Sequence, residues 1–218
     1  QQITKAMKQV AAAKIRRADA LQKQSRPYAD ALAGMLQDLL AAVGTIDHPF
    51  MKPGAVHAPA GIILMTADKG LAGSFNANLI RVAEQTYRDD RNHRWYAVGN
   101  KARNAVRRFS GADADRVWML QSPDKLAAAR EVAARVSDDF VNGRISKVTL
   151  ISPKLINMMS QKPQTRQLLP VEPAEQPPAT GGPRNAVEFE PSPEAVLSRI
   201  LPKYLEFTLY AAMLETDA

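Results

Sequence analysis

Residues 1–46 read QQITKAMKQVAAAKIRRADALQKQSRPYADALAGMLQDLLAAVGTI. The chain is organised around this stretch, whose composition is that of one long helix. Strong helix formers fill most positions, with Pro27 as the only proline and Gly34 as the only glycine before Gly44. Apolar residues recur at Ile3, Met7, Val10, Ala11, Ile15, Ala18 and Leu21. They return after Pro27 at Leu32, Met35, Leu36, Leu39, Leu40, Val43 and Ile46. Steps of mostly three and four put them on one stripe. At about 1.5 Å per residue the run would extend roughly 70 Å, beyond the width of a small domain, so the pattern predicts a coiled-coil arm rather than a surface helix of a globule.

Charge is concentrated in the same arm. Lys5, Lys8, Lys14, Arg16, Arg17, Lys23 and Arg26 stand against Asp19 and Asp30, which accounts for five of the formal net +7. Cations flanking a seam point to an acidic partner.

The 218 residues accommodate one α/β domain and an appendage, with 45% hydrophobic and 23% charged residues. No apolar run approaches the length that spans a bilayer, and the sequence predicts no signal peptide. The absence of cysteine excludes disulfides and thiolate chemistry and fits a reducing compartment. A pI near 9.7 is compatible with nucleic acid. Yet the sequence carries no zinc-finger spacing, no aromatic RNA-binding signature and no helix-turn-helix pattern.

After the breakers His48, Pro49, Pro53, Gly54 and Pro59, strands and helices alternate. Gly61 to Met65 reads as a buried parallel strand, followed by a turn and a helix from Phe75 to about Tyr87 with Ser74 as N-cap. Trp95–Val98 is the second strand, Lys101–Phe109 the next helix and Arg116–Leu120 the third strand. Ser122-Pro123-Asp124 starts a helix with Ser at the N-cap and Pro at the first helical position, and Asn142-Gly143 stops it. Lys147–Ser152 is the fourth strand, and Ile156–Ser160 with Thr165–Pro170 form edge strands or a hairpin. Val171–Pro183 is a proline-rich loop, and Val187–Glu190 a last strand. Ser192-Pro193-Glu194 opens a final helix with broad apolar surface, which Pro202 should kink or restart near Leu201.

The expected fold class is therefore α/β. An antiparallel coiled coil of the N- and C-terminal helices joins a central, mostly parallel sheet domain with helices on both faces. The divisions are 1–58 for the first arm and loop, 59–190 for a Rossmann-like domain and 191–218 for the second arm. Both ends are expected to be cut mid-helix.

The sequence yields no catalytic set. Asp68 to Ser74 is a glycine turn between strand and helix, the kind that cradles phosphate. Gly70 and Gly73 nevertheless match neither established phosphate-loop spacing. His48, His57 and His93 lie far apart and make no metal-ligand spacing. Ser74 lacks a nucleophile elbow, and adjacent Asp138 and Asp139 point different ways on a helix. No cofactor or metal is expected. The alternatives that remain are a small nucleotide-binding α/β enzyme with a coiled-coil oligomerisation arm, and a basic arm for nucleic acid.

Several stretches, in order along the chain, resemble the gamma subunit of F-type ATP synthase. Ile3-Thr4-Lys5-Ala6-Met7 and Val10 to Ala18 resemble its first coiled-coil helix, and Ser25-Arg26-Pro27-Tyr28-Ala29 the segment after it. Thr66 to Asn78 is similar to its glycine turn, with Ala72 where the family commonly carries Cys. Ile156-Asn157, Met159-Ser160-Gln161 and Gln167-Leu168-Leu169-Pro170 match its later strands. Tyr204-Leu205-Glu206 and Leu209-Tyr210 match its final helix.

The resemblance implies a non-catalytic rotor shaft that transmits torque between a proton-driven membrane ring and the catalytic hexamer of alpha and beta subunits, with an epsilon subunit at its foot. It implies that Lys5, Met7, Lys8, Lys14, Arg16 and Arg17 face acidic loops of the beta subunits, and that Phe189 and Glu190 approach the ring. It places the chain peripherally on the cytoplasmic face of the inner membrane, or the equivalent organelle face, with no membrane span and no nucleic acid. In the family both terminal helices run further than here.

Overall fold

The computed structural model describes residues 16, 20, 27–28, 31–40, 47–68, 75–157, 160–172 and 192–217. Residues 31–40 are helical (α1), and a single 3-10 turn covers Pro49–Met51. There follow β1 (Ala60–Met65), α2 (Phe75–Asp89), β2 (His93–Val98), α3 (Asn100–Ser110), β3 (Arg116–Trp118), α4 (Lys125–Val141), β4 (Val148–Asn157), β5 (Ser160–Leu169) and α5 (Pro193–Asp217). The strands form one sheet in the order β3-β2-β1-β4-β5. β1 pairs in parallel with β2 and β4, β2 pairs in parallel with β3, and β5 closes the sheet antiparallel to β4.

The layering follows from this order. Two crossovers, α2 and α3, lead one way from β1, and α4 returns past β1 to β4. Right-handed crossovers then put α2 and α3 on one face and α4 on the other. The alternating strand residues agree. Ile63, Met65, Tyr96, Val98 and Leu150 share a core with α1, α4 and α5, whereas Ile62, Leu64, Trp95, Ala97 and Ile151 share one with α2 and α3. β1 is buried throughout, which explains its unbroken apolar run.

The two Ser-Pro-acid starts behave differently. Asp124, not Ser122, caps α4: its carboxylate accepts the Ala127 N–H at 2.9 Å and its carbonyl accepts the Ala128 N–H. Pro123 therefore lies before the helix. In α5 the expected arrangement holds, with the Ser192 hydroxyl accepting the Ala195 N–H at 3.2 Å. The difference lies in the third residue. Asp is itself a strong cap, whereas the longer Glu194 is not and leaves the role to serine. Gly143, at φ 69°, closes α4 in the left-handed region that favours glycine.

α5 runs unbroken past Pro202, where a kink or restart was expected. Leu197, Leu201, Leu205, Leu209 and Met213 recur every four residues and are at most 2% exposed. That ladder holds the helix together. Pro202 and Ser198 are exposed, so water reaches the Ser198 carbonyl that the proline cannot serve. α1 buries Leu36, Leu39 and Leu40 in the same core, and Tyr28 meets Phe207 with ring centroids 4.5 Å apart.

The expected hairpin is β4–β5. β4 pairs with β1 only from Val148 to Ile151, and beyond that it continues with β5 alone. There Pro153 faces Pro163 and Lys154 faces Lys162. Most of the predicted 1–46 helix, the glycine turn 69–74 and the predicted strand 187–190 lie outside the described residues.

Candidate functional site

Three polar constellations stand out, and none has the form of an active site. The first is at the carboxyl edge of the sheet. Asp68, just past β1, accepts the Asn100 N–H on Oδ1 at 2.9 Å and the Gln121 N–H on Oδ2 at 2.8 Å. The Thr66 hydroxyl accepts the Ala102 N–H at 2.8 Å, and Asn76 Oδ1 accepts the Ala67 N–H. Gly99 makes this approach possible, because it sits at φ 96° and a Cβ there would lie 2.1 Å from the Thr66 carbonyl oxygen. A helix N-terminus at this edge is where a doubly wound fold would receive a phosphate. At α3 that place is taken by the chain's own carboxylate and hydroxyl. Asp68 is a clamp on the sheet edge rather than part of a phosphate cradle.

The second constellation surrounds Asp139, which is fully buried at the end of α4. The Tyr96 hydroxyl donates to it at 2.6 Å, Arg135 Nε at 3.1 Å and Arg144 Nε at 2.5 Å, with Arg94 at 3.8 Å. Arg135 also reaches Asp115 at 2.9 Å, and Arg144 bridges to the exposed Asp138. Burial pushes the Asp139 carboxyl up, but the Tyr96 hydroxyl and the Arg144 and Arg135 guanidinium groups outweigh it and hold the group below the usual carboxylate value. Burial and the neighbouring Asp139 raise the Tyr96 phenol.

The third joins α4 to α5. Glu206, 6% exposed, accepts Arg130 Nε and Nη2 at 3.2 and 3.1 Å and Lys203 Nζ at 3.2 Å. Lys125 and Asp217 pair at 2.8 Å near the other end of the contact. Burial raises the Glu206 carboxyl, but the cations win and lower it.

The sequence readings missed all three constellations, although two left a signal. Asp139 follows Val136 by three on the inward stripe of α4, and Glu206 sits among the apolar residues of α5. An acid on a buried face needs a partner. The histidines stay apart: His48 Nδ1 accepts the Phe50 N–H at 3.1 Å, His57 is exposed and His93 is half-buried. Among the described residues no three His, Cys, Asp or Glu gather as a metal site. Arg16 is helical and exposed. The other arm residues singled out, Lys5, Met7, Lys8, Lys14 and Arg17, lie outside the described residues, as do Phe189, Glu190, Ala72 and Ser74.

Comparison with known proteins decides what these rigid joints belong to. The family model described as ATP synthase matches residues 1–218. The ATP synthase gamma chain of Heliobacterium modesticaldum is 39% identical over 224 residues, covering all of this chain and 77% of the relative. That of Desulforamulus reducens is 41% identical over 220 residues, covering all of this chain and 76% of the relative. The chain belongs to the ATP synthase gamma-chain family. Gamma chains are the non-catalytic rotor subunits of that complex, which settles the choice between a shaft and a nucleotide-binding enzyme. The fold agrees. A chain of the central stalk and c-ring structure of the Tetrahymena thermophila mitochondrial ATP synthase matches this fold with a TM-score of 0.71 at 22% identity, covering 99% of this chain and 92% of the other.

Proposed function

We propose that this gamma chain works as a two-part torque transmitter, with an antiparallel coiled coil formed by 1–58 and 191–218 standing on the sheet domain 59–190. The observation that carries the reading is the seating of α5. Its leucine ladder and the pairing of buried Glu206 with the exposed Arg130 hold it to α4 and the sheet, while α1 packs into the same core. Twist applied to the domain then passes into the helix with little play, because a packed core deforms poorly.

In this reading Lys5, Met7, Lys8, Lys14, Arg16 and Arg17 meet acidic loops of the beta subunits. Phe189 and Glu190 meet the membrane ring, and the epsilon subunit binds the foot. An asymmetric shaft shows each beta subunit a different face, and rotation biases their open and closed states in turn. No helix of the described residues is long and apolar enough to cross a membrane. The chain sits peripherally at the cytoplasmic face of the inner membrane, or the organelle equivalent.

Co-expression with alpha and beta subunits tests the arm contacts. A complex whose ATPase falls when Lys5, Lys8, Arg16 and Arg17 are each replaced by Glu is the expected result. Unchanged assembly and unchanged turnover would remove those contacts.

A further inference from the structure

The acidic side chains of α2 and of the turn that follows it each have a partner there, and α3 carries no acidic residue. Glu84 accepts Arg108, Asp89 accepts the Gln85 amide at 2.7 Å, and Asp90 accepts the Asn92 N–H at 2.8 Å. The cations are in excess. Arg81 and Arg88 on α2 and Arg103 and Arg107 on α3 are exposed and form no ion pair among the described residues. Arg81 and Arg88 lie two turns apart, about 10 Å along the helix, and Arg103 and Arg107 one turn apart, about 6 Å. The Arg108–Glu84 bridge crosses from helix to helix, so the two rows flank it. Among the described residues the large exposed hydrophobic side chains all lie off this face.

We propose that the outer face of α2 and α3 docks an acidic segment of a partner polypeptide, its carboxylates received by the rows Arg81/Arg88 and Arg103/Arg107. Guanidinium groups present paired donors that match carboxylates. A membrane-binding face would add apolar side chains to enter the bilayer, and a single-stranded nucleic-acid face would add exposed aromatic rings for stacking. This face has neither. It lies across the sheet from α5, so the inference stands apart from the shaft contacts proposed above.

The test uses the full chain and a fluorescein-labelled helical peptide of repeating Glu-Ala-Ala-Ala, read by anisotropy at low salt. Replacing all four arginines by Glu should weaken binding by about tenfold or more, since exposed charge pairs contribute little singly but accumulate. Reversing Lys154 and Lys162 instead should leave affinity within about twofold. A Lys-Ala-Ala-Ala peptide should bind the four-arginine variant and not the parent. Circular dichroism checks folding, and if the fourfold variant is unfolded, R81A/R88A and R103A/R107A carry the same measurement. Peptide affinity indifferent to these substitutions overturns the proposal. So does tighter binding of phosphatidylglycerol vesicles or a single-stranded oligonucleotide that depends on the same arginines.

Discussion

Against the α4–α5 face of the sheet, Asp139 and Glu206 are withdrawn from water and ringed by cations. Against the α2–α3 face, Arg108 meets Glu84 in the open and four further arginines meet no acid among the described residues. A buried carboxylate tolerates few geometries, so its partners must hold position. An exposed pair is hydrated, and its members are free to exchange partners. The first face is therefore built as a joint and the second as a surface, which suits a rotor subunit whose terminal helix must not slip on its base.

The strongest way to break this contrast is Asp139→Ala. It leaves the Tyr96 hydroxyl without its acceptor and Arg135 and Arg144 without their shared counter-charge. Denaturant unfolding should register a loss of about 2–3 kcal/mol, chiefly from the buried Tyr96 hydroxyl left unpaired, since the Arg135 and Arg144 side chains are exposed enough to be hydrated. A loss below about 1 kcal/mol, the range of exposed pairs, would put Asp139 in the same class as the other face.

Acid titration sharpens the comparison next. Asp139 and Glu206 both have folded-state values lowered from 3.8 and 4.5. The unfolded chain then binds more protons, so stability rises with pH through this range. Their contribution is complete above the ordinary carboxylate values and disappears as pH falls through the depressed ones. Glu206→Gln should flatten the acid side of a stability–pH curve and leave its neutral side level. A slope unchanged from the parent would show that Glu206 is not held ionised by its neighbours.

The smallest effect belongs to the open face. Arg108→Ala should cost at most about 1 kcal/mol, because its side chain is 65% exposed. A cost near that of Asp139→Ala would erase the distinction between the two faces.

Much of the architecture was legible in the residues because burial writes a period into the chain. The unbroken run Gly61–Met65 announced a central strand, and the α4 stripe announced an inward face. What periodicity does not carry is the identity of a distant partner. Tyr96 and Asp139 are 43 residues apart, and Arg130 and Glu206 are 76 apart. Only the folded sheet and helices bring them together. Asp68 was hidden differently: glycine spacing was enough to set its turn aside as a phosphate loop, but it gave no sign that the Asp68 carboxylate itself occupies the start of α3. The misplaced α4 cap shows competition between neighbours, since Ser122 and Asp124 both qualify and the stronger cap prevails.

The prolines of the β4–β5 hairpin have a consequence of their own. Pro153 and Pro163 face each other, and neither has an amide hydrogen, so theirs is the wide, unbonded kind of pairing. Each missing hydrogen is then lost from an outward rim of the ribbon. A foreign strand trying to zip onto either side finds a gap there, with Lys154 and Lys162 next to it, and the outermost ribbon is barred from fibril-like growth.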